Sequence, residues 1–191
     1  MPLAIGNQWE YEYIFYNDDG TVYGVDTSEF TLNSSFVKDG ETLYFSPIPF
    51  AGFLTAYTNR PDGLWTYNEM DLIPSFYAHN VFYPFKVDSA ISFTFIDDRF
   101  TDSLGNKFND TILSTYTLVN DNLQKTVGAG TFNCLKYVTE DSNLTRKRME
   151  MRIVEFYALN VGLIYREEYE GHLYRPLKLI SQKSLLSYKL Y

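Results

Sequence analysis

The segment formed by residues 7 to 17, NQWEYEYIFYN, alternates between aromatic and acidic side chains. Trp9, Tyr11, Tyr13 and Phe15 lie on one side of an extended chain, and two glutamates lie on the other. A period of two residues is that of a β-strand with one covered face, whereas a helix repeats every 3.6 residues. The segment therefore predicts a strand, and the fold must supply neighbouring strands to complete a sheet.

Turn signals separate similar segments along the whole chain. Residues 17–20 (NDDG), 39–40 (DG) and 60–63 (RPDG) each join two strand-like runs, and their glycines supply the positive φ that tight hairpins need. Strands separated by short turns are typical of antiparallel sheets rather than of βαβ units. We therefore predict a single all-β domain over residues 1–191. Its sheet would be large, antiparallel and curved into a half-barrel or a barrel, with few or no long helices.

One segment leaves a helix open as an alternative. Residues 110–125, DTILSTYTLVNDNLQK, are the best helical candidate in the chain. They are rich in threonine and include valine, and both residue types lose rotamer freedom in a helix. The composition therefore favours a strand here.

Charge and hydropathy exclude several classes of partner. The chain has a formal net charge of −8, so it lacks the positive surface that binds a nucleic acid backbone. There is no run of about 18 apolar residues, so we predict no transmembrane segment. The residues that follow Met1 do not resemble a signal peptide. A recombinant version of an exported protein would, however, lack that peptide and any lipid anchor.

The only cysteine, Cys134, lies in VGAGTFNCLKY, residues 127–137. The two glycines of this segment indicate a turn, and the residues after them alternate as in a strand. A reactive thiol needs a helix N-terminus or a cationic neighbour, and Lys136 is the nearest cation in sequence. Because no histidine partner accompanies it in the sequence pattern, we predict that Cys134 is a small buried side chain.

No catalytic or metal-binding motif is present in the sequence. The two histidines, His79 and His172, are far apart, and zinc sites use ligands at short spacing. The acidic stretch 96–110 lacks the register of a calcium loop. Glu167 and Glu168 would lie on opposite faces of a strand, so they would not act together. We predict no catalytic residues, no metal and no cofactor. A hydrolytic enzyme with an unrecognised site, in which the two histidines and a carboxylate converge, is an alternative.

Aromatic residues are the candidate ligand-binding residues. Two segments, 46–53 and 73–87, combine prolines with aromatic side chains and are predicted to be irregular. Apolar loops at the rim of a sheet can bind apolar or flat partners. The same loops could instead cover the open end of the sheet and close its core. The candidates, which include one tryptophan from the strand between these segments, are Phe50, Phe53, Trp65, Phe76, Tyr77, Phe82, Tyr83 and Phe85.

Four motifs occur in a fixed order along the chain: PLAIGNQWEYEY, VGAGTFNCLKY, EFYALNVGLIYREEY and LLSYKLY. The residues that define the first three are Pro2, Leu3, Gly6, Asn7, Trp9, Tyr11; Val127, Ala129, Gly130, Thr131, Phe132; and Tyr157, Val161, Gly162, Leu163. With these motifs the chain resembles a group of β-rich, exported bacterial envelope proteins, many of them lipoproteins of unknown function. The resemblance implies a strongly curved antiparallel sheet, similar to the half-barrels of periplasmic lipoprotein carriers.

The same resemblance implies export to the bacterial cell envelope, in the periplasm or at the outer surface, and no catalytic residues. Related proteins often carry a lipid on an N-terminal cysteine, which is absent from this sequence. We therefore expect a non-enzymatic protein that binds a lipid or another hydrophobic or amphipathic ligand on its concave sheet face or aromatic rim. The alternative is a cell-surface module that binds glycan or protein through exposed aromatic side chains.

Overall fold

The structure is a computed structural model that describes residues 2–38, 40–47, 54–61, 63–68, 81–84, 90–101, 107–171 and 176–191. These residues form β-strands and turns, and none of them is helical. The strands are β1 (Gln8–Tyr16), β2 (Val22–Thr31), β3 (Ser34–Lys38), β4 (Glu41–Pro47), β5 (Leu54–Arg60), β6 (Gly63–Asn68), β7 (Val81–Pro84), β8 (Ala90–Thr101), β9 (Lys107–Val127), β10 (Gly130–Asn143), β11 (Arg148–Ala158), β12 (Gly162–Glu170) and β13 (Lys178–Lys189).

The described strands form two antiparallel sheets. The larger sheet has eight strands in the order β2-β1-β13-β12-β11-β10-β9-β8, and the smaller has five in the order β3-β4-β5-β6-β7. The larger sheet is curved and open, since β2 and β8 are its two edges. The prediction of an all-β fold built on a large curved antiparallel sheet is confirmed, and the sheet is not closed into a barrel.

Residues 110–125, the best helical candidate in the sequence, are part of β9. The strand prediction is therefore confirmed and the helical alternative is wrong. Ile112, Ser114 and Leu118 are buried, and they share one face because they are separated by even numbers of residues. A helix would have scattered these side chains around its axis. Burial against β8 and β10 decides the conformation of this segment.

The three predicted turns each join two neighbouring strands. In the β1–β2 turn, the Asn17 amide donates to the Thr21 carbonyl at 2.8 Å, and Gly20 has a φ of 84°. In the β3–β4 turn, Lys38 pairs with Glu41 across two residues, and Gly40 has a φ of 82°. Pairing of Arg60 with Gly63 closes the β5–β6 turn in the same way. These hairpins confirm the turn predictions.

The two sheets share a hydrophobic core. On the larger sheet a buried cluster contains Trp9, Tyr11, Leu32, Cys134, Ala158, Ile164 and Leu185. Tyr44 of β4 and Tyr57 of β5 pack against this cluster from the smaller sheet. Leu64 of β6 packs with Tyr137 of β10 in a second cluster. The smaller sheet therefore covers part of one face of the larger sheet, which we call the inner face.

The motifs that carry the resemblance to envelope proteins meet in space. The Trp9 indole nitrogen donates to the Val161 carbonyl at 2.6 Å, and the Tyr11 hydroxyl donates to the Leu163 carbonyl at 3.1 Å. The Tyr191 amide donates to the Asn7 side-chain oxygen at 2.8 Å. These contacts join the first, third and fourth motifs, so the shared residues are structural.

Candidate ligand-binding site

A row of tyrosine and charged side chains crosses five strands of the larger sheet on its inner face. Tyr13 of β1 lies opposite Lys183 of β13, which lies opposite Arg166 of β12. Arg166 lies opposite Glu155 of β11, which lies opposite Tyr137 of β10. Residues paired in register project from the same face of a sheet. We call these five residues the charged row.

Arg166 is matched by two carboxylates. Its Nη1 atom lies 3.4 Å from Glu155 Oε1, and its Nη2 atom contacts Glu168 of the same strand. The Glu155 side chain is only 3% exposed. Burial opposes ionisation of Glu168, but the Arg166 charge and a hydrogen bond from the Ser181 hydroxyl outweigh it, and the pKa of Glu168 is lowered. This part of the row is therefore an internally neutralised network.

Lys183 differs from Arg166 because no carboxylate oxygen among the described residues lies within 4.0 Å of its ammonium. The ammonium instead lies 4.0 Å from the ring centre of Tyr11 and 5.0 Å from that of Tyr13. Desolvation lowers the pKa of Lys183 to about 8, and the Arg166 charge acts in the same direction. The two nearby glutamates of the network oppose this shift without overcoming it.

Aromatic and apolar side chains surround Lys183, and we call this group the Lys183 site. Its side chain is strongly desolvated, yet it is only partly buried by surface area. Phe15, Ile153 and Tyr116 are on the same face and are also half-buried. Tyr57 approaches from the smaller sheet, and burial followed by the charge of Glu155 raises its pKa. A cation bordered by half-exposed aromatic rings can accept an amphipathic molecule.

The structure describes three of the eight predicted ligand-binding residues. Trp65 of β6 pairs with Phe82 of β7, and Leu64 pairs with Tyr83 at the next register position. The Trp65 side chain is half-buried, and the Arg60 guanidinium lies 4.1 Å from its ring centre. The other five, Phe50, Phe53, Phe76, Tyr77 and Phe85, lie outside the described residues.

Cys134 is buried in β10, as predicted. It is 1% exposed, and its thiol lies 3.6 Å from the Phe132 carbonyl oxygen. Burial raises the pKa of the thiol, although Lys125 acts in the opposite direction. A thiol that remains protonated at neutral pH is a poor nucleophile.

The other sequence candidates do not form a site among the described residues. No group of three histidine, cysteine, aspartate or glutamate side chains there could hold a metal ion. His79 and His172 lie outside those residues. Glu168 faces Arg166, whereas Glu167 accepts hydrogen bonds from Tyr165 and Tyr169 on the other face, so their predicted separation is confirmed. None of the described segments is a helix that could cross a membrane.

Sequence reasoning missed the charged row. The segment YREEYE, residues 165–170, does place Arg166 and Glu168 on one face of a strand. Lys183 and Glu155 become their neighbours only through pairing of β12 with β13 and β11. A period of two identifies the face of a side chain but not the partner strand, so no local signal could have located this row.

Comparisons with known proteins identify one family and two similar solved structures. The model of the DUF3108-like family matches residues 69–185, more than half of the chain. A candidate exported protein with a YmcC-like fold from Bacteroides fragilis has 14% identity and a TM-score of 0.47, with 100% of this chain and 98% of that chain covered. A candidate lipoprotein from Parabacteroides distasonis has 14% identity and a TM-score of 0.49, with 99% and 97% covered. No curated protein matches this chain significantly.

Proposed function

This chain belongs to the DUF3108-like family, and from that premise and the environment of Lys183 we propose a non-catalytic protein of the bacterial cell envelope that binds an amphipathic ligand. The ligand lies on the inner face of the larger sheet, with its anionic group at Lys183 and its apolar part against the tyrosine rings. The envelope location is supported by the motifs that the chain shares with β-rich exported proteins.

The observation that carries the proposal is the environment of Lys183. Among the described residues its ammonium contacts the rings of Tyr11 and Tyr13, and no carboxylate oxygen lies within 4.0 Å of it. Burial of a cation without a direct anionic partner is unfavourable. An anionic ligand group would remove that cost, whereas Arg166 is already neutralised by Glu155 and Glu168. Lys183 is therefore the residue of the row that is suited to contact a ligand.

The position of Trp65 favours this site over a glycan- or protein-binding surface built on the same tryptophan. The Arg60 guanidinium lies 4.1 Å from the Trp65 ring centre, and Arg60 also pairs with Glu41 at 2.7 Å. A sugar that stacked on that side of the ring would have to displace an ion-paired arginine. At Lys183 no ion pair among the described residues would have to be displaced.

The binding proposal is tested with 1-anilinonaphthalene-8-sulfonate, an amphipathic anion whose fluorescence rises on apolar binding. We expect saturable binding to the native protein, and the Lys183→Met variant should bind about tenfold more weakly because it loses a charge-assisted contact. Lys38→Met is the matched control, since Lys38 is exposed on β3. Circular dichroism confirms that each variant is folded. Equal affinity of native protein and Lys183→Met would contradict the proposal.

Ligand and location are tested on material from the native host. Native mass spectrometry of the protein purified without detergent should show a bound species of lipid-like mass, and Lys183→Met should reduce its occupancy. The tagged product of the full-length gene should fractionate with the cell envelope. Recovery of that product in the cytosol would contradict the envelope location but not ligand binding.

A further inference from the structure

A second cleft lies on the opposite, outer face of the larger sheet. Its volume is about 400 Å³, within the range of small-molecule sites. Phe156 lines the cleft and follows Glu155 in β11, so it projects away from the charged row. Glu167 also lines it and lies between Arg166 and Glu168 of that network. The outer cleft is therefore separate from the Lys183 site.

Two lysines line the outer cleft above aromatic rings. The Lys125 ammonium lies 3.4 Å from the ring centre of Tyr165 and 4.9 Å from that of Phe156. The Lys136 ammonium lies 5.8 Å from the ring centre of Phe156. In the described part of the chain, no carboxylate oxygen lies within 4.0 Å of either ammonium. Burial lowers the pKa of Lys125, although Glu167 opposes the shift.

Arg152 contributes a third cation and a donor without an acceptor. Its Nε atom is buried and makes no hydrogen bond within the described residues. Arg152 forms an ion pair with Glu140, whose Oε1 atom lies 3.6 Å from that Nε, beyond hydrogen-bond distance. A buried donor without a partner is unfavourable, and native proteins usually satisfy such a group with a ligand, an ion or water.

Among the described residues that line it, the cleft has one acidic residue, Glu167, for its three cations. Both carboxylate oxygens of Glu167 accept hydrogen bonds at 2.9 Å, one from the Tyr165 hydroxyl and one from the Tyr169 hydroxyl. The cleft therefore has an excess of positive charge, although the whole chain has a formal net charge of −8. Val154 and Leu177 provide apolar walls beside Phe156.

We propose that the outer cleft binds a phosphate monoester with an apolar or aromatic body. The phosphate lies among Lys125, Lys136 and Arg152, because a dianion with several acceptor oxygens can satisfy three cationic donors. The apolar body lies against Phe156. Either a soluble organic phosphate or a phospholipid headgroup could supply this chemistry, and the experiment distinguishes them.

Isothermal titration calorimetry with phenyl phosphate tests the site. We expect saturable binding, with affinity reduced about tenfold in Lys136→Gln and in Arg152→Gln because each loses a charge-assisted hydrogen bond. Inorganic phosphate should bind more weakly than phenyl phosphate because it lacks the ring. Lys38→Gln, an equal charge change on exposed β3, should leave the affinity unchanged.

One substitution is expected to raise the affinity for phenyl phosphate, a result that misfolding could not produce. Glu167→Gln removes the like charge beside the bound phosphate and should strengthen phenyl phosphate binding several-fold. In a Lys183→Met background the affinity for phenyl phosphate should still depend on Lys136 and Arg152, because these line the outer cleft and not the inner face, so the two sites can fail independently. The absence of saturable binding, or equal affinities for the native protein, Lys136→Gln and Arg152→Gln, would overturn the proposal.

Vesicle sedimentation identifies the source of the phosphate group. Co-sedimentation with vesicles of phosphatidylcholine and phosphatidic acid, but not with phosphatidylcholine alone, supports a lipid headgroup when Lys136→Gln weakens it. Binding of phenyl phosphate without co-sedimentation supports a soluble organic phosphate. Co-sedimentation that is insensitive to Lys136→Gln would contradict a role for the cleft in lipid binding.

Discussion

Among single residues, the buried tryptophan of the first motif, Trp9, connects parts of the chain that are far apart in sequence. Trp9 is 1% exposed, and its ring lies 5.4 Å from that of Phe30. Its indole nitrogen donates to the Val161 carbonyl, 152 residues away in sequence. A buried indole needs an acceptor for its N–H. The tryptophan of the first motif therefore has a structural role, because it fixes β1 to the β11–β12 turn.

We expect Trp9→Phe to lower the free energy of unfolding by about 2–3 kcal/mol. The substitution leaves the Val161 carbonyl without its donor and creates a small cavity. Urea denaturation followed by circular dichroism measures the change. Tyr23→Phe on edge strand β2 is the control, and its effect should stay below about 0.5 kcal/mol because Tyr23 is exposed. Equal effects of the two substitutions would contradict this role of Trp9.

Among the elements, the hairpins show how much of this fold is encoded locally. Gly40 is required by the β3–β4 turn because its φ is 82°. A Cβ added at Gly40 would meet nothing within 4 Å, so any cost of a side chain there is conformational. By contrast, Gly24 in β2 has no positive φ, and an added Cβ would lie 3.6 Å from the Phe15 ring, an ordinary contact.

The Gly40→Ala and Gly24→Ala variants should therefore change stability in opposite directions. Gly40→Ala should lose about 1 kcal/mol because alanine disfavours positive φ. Gly24→Ala should be neutral or gain up to about 0.5 kcal/mol because alanine restricts the unfolded chain. Thermal unfolding of both variants measures the difference. A larger loss in Gly24→Ala than in Gly40→Ala would show that the turn does not require glycine.

The sequence predicted elements well and their assembly poorly, for a physical reason. Alternation at Trp9 and Tyr11 identified β1, and the glycines before Cys134 identified the start of β10. Nothing local shows that β13 lies between β1 and β12, because pairing depends on contacts between strands far apart in sequence. The charged row depends on that pairing. For this reason the sequence points to aromatic loops and not to Lys183 as a candidate site.

For the whole molecule, the desolvated Lys183 links stability to pH. The pKa of Lys183 is lowered from 10.5 to about 8 by desolvation. Tyr11 and Tyr13 of β1, Glu155 of β11, and Arg166 and Glu168 of β12 surround it. Between these two pH values the unfolded chain binds more protons at this position than the folded chain. The contribution of Lys183 to stability therefore rises with pH over this range.

We expect Lys183→Met to be more stable than the native protein near neutral pH, by about 1–3 kcal/mol, because the unfavourable buried charge is removed. This advantage should shrink as the pH rises from about 8 to about 10.5. Urea denaturation of both proteins across this range measures the difference in unfolding free energy. The raised pKa of Cys134 has the opposite effect on stability, but it is present in both proteins and cancels in the difference. A difference that does not change with pH would show that Lys183 has an ordinary pKa.

The place of β13 in the larger sheet affects how this chain can be synthesised. β1 pairs with β2 on one side and with β13 on the other. During synthesis on the ribosome, one edge of β1 therefore stays unpaired until β13 has emerged. A polypeptide truncated before residue 178 would lack β13. It would expose the edges of both β1 and β12, which are templates for intermolecular pairing. Such fragments should therefore aggregate or be degraded.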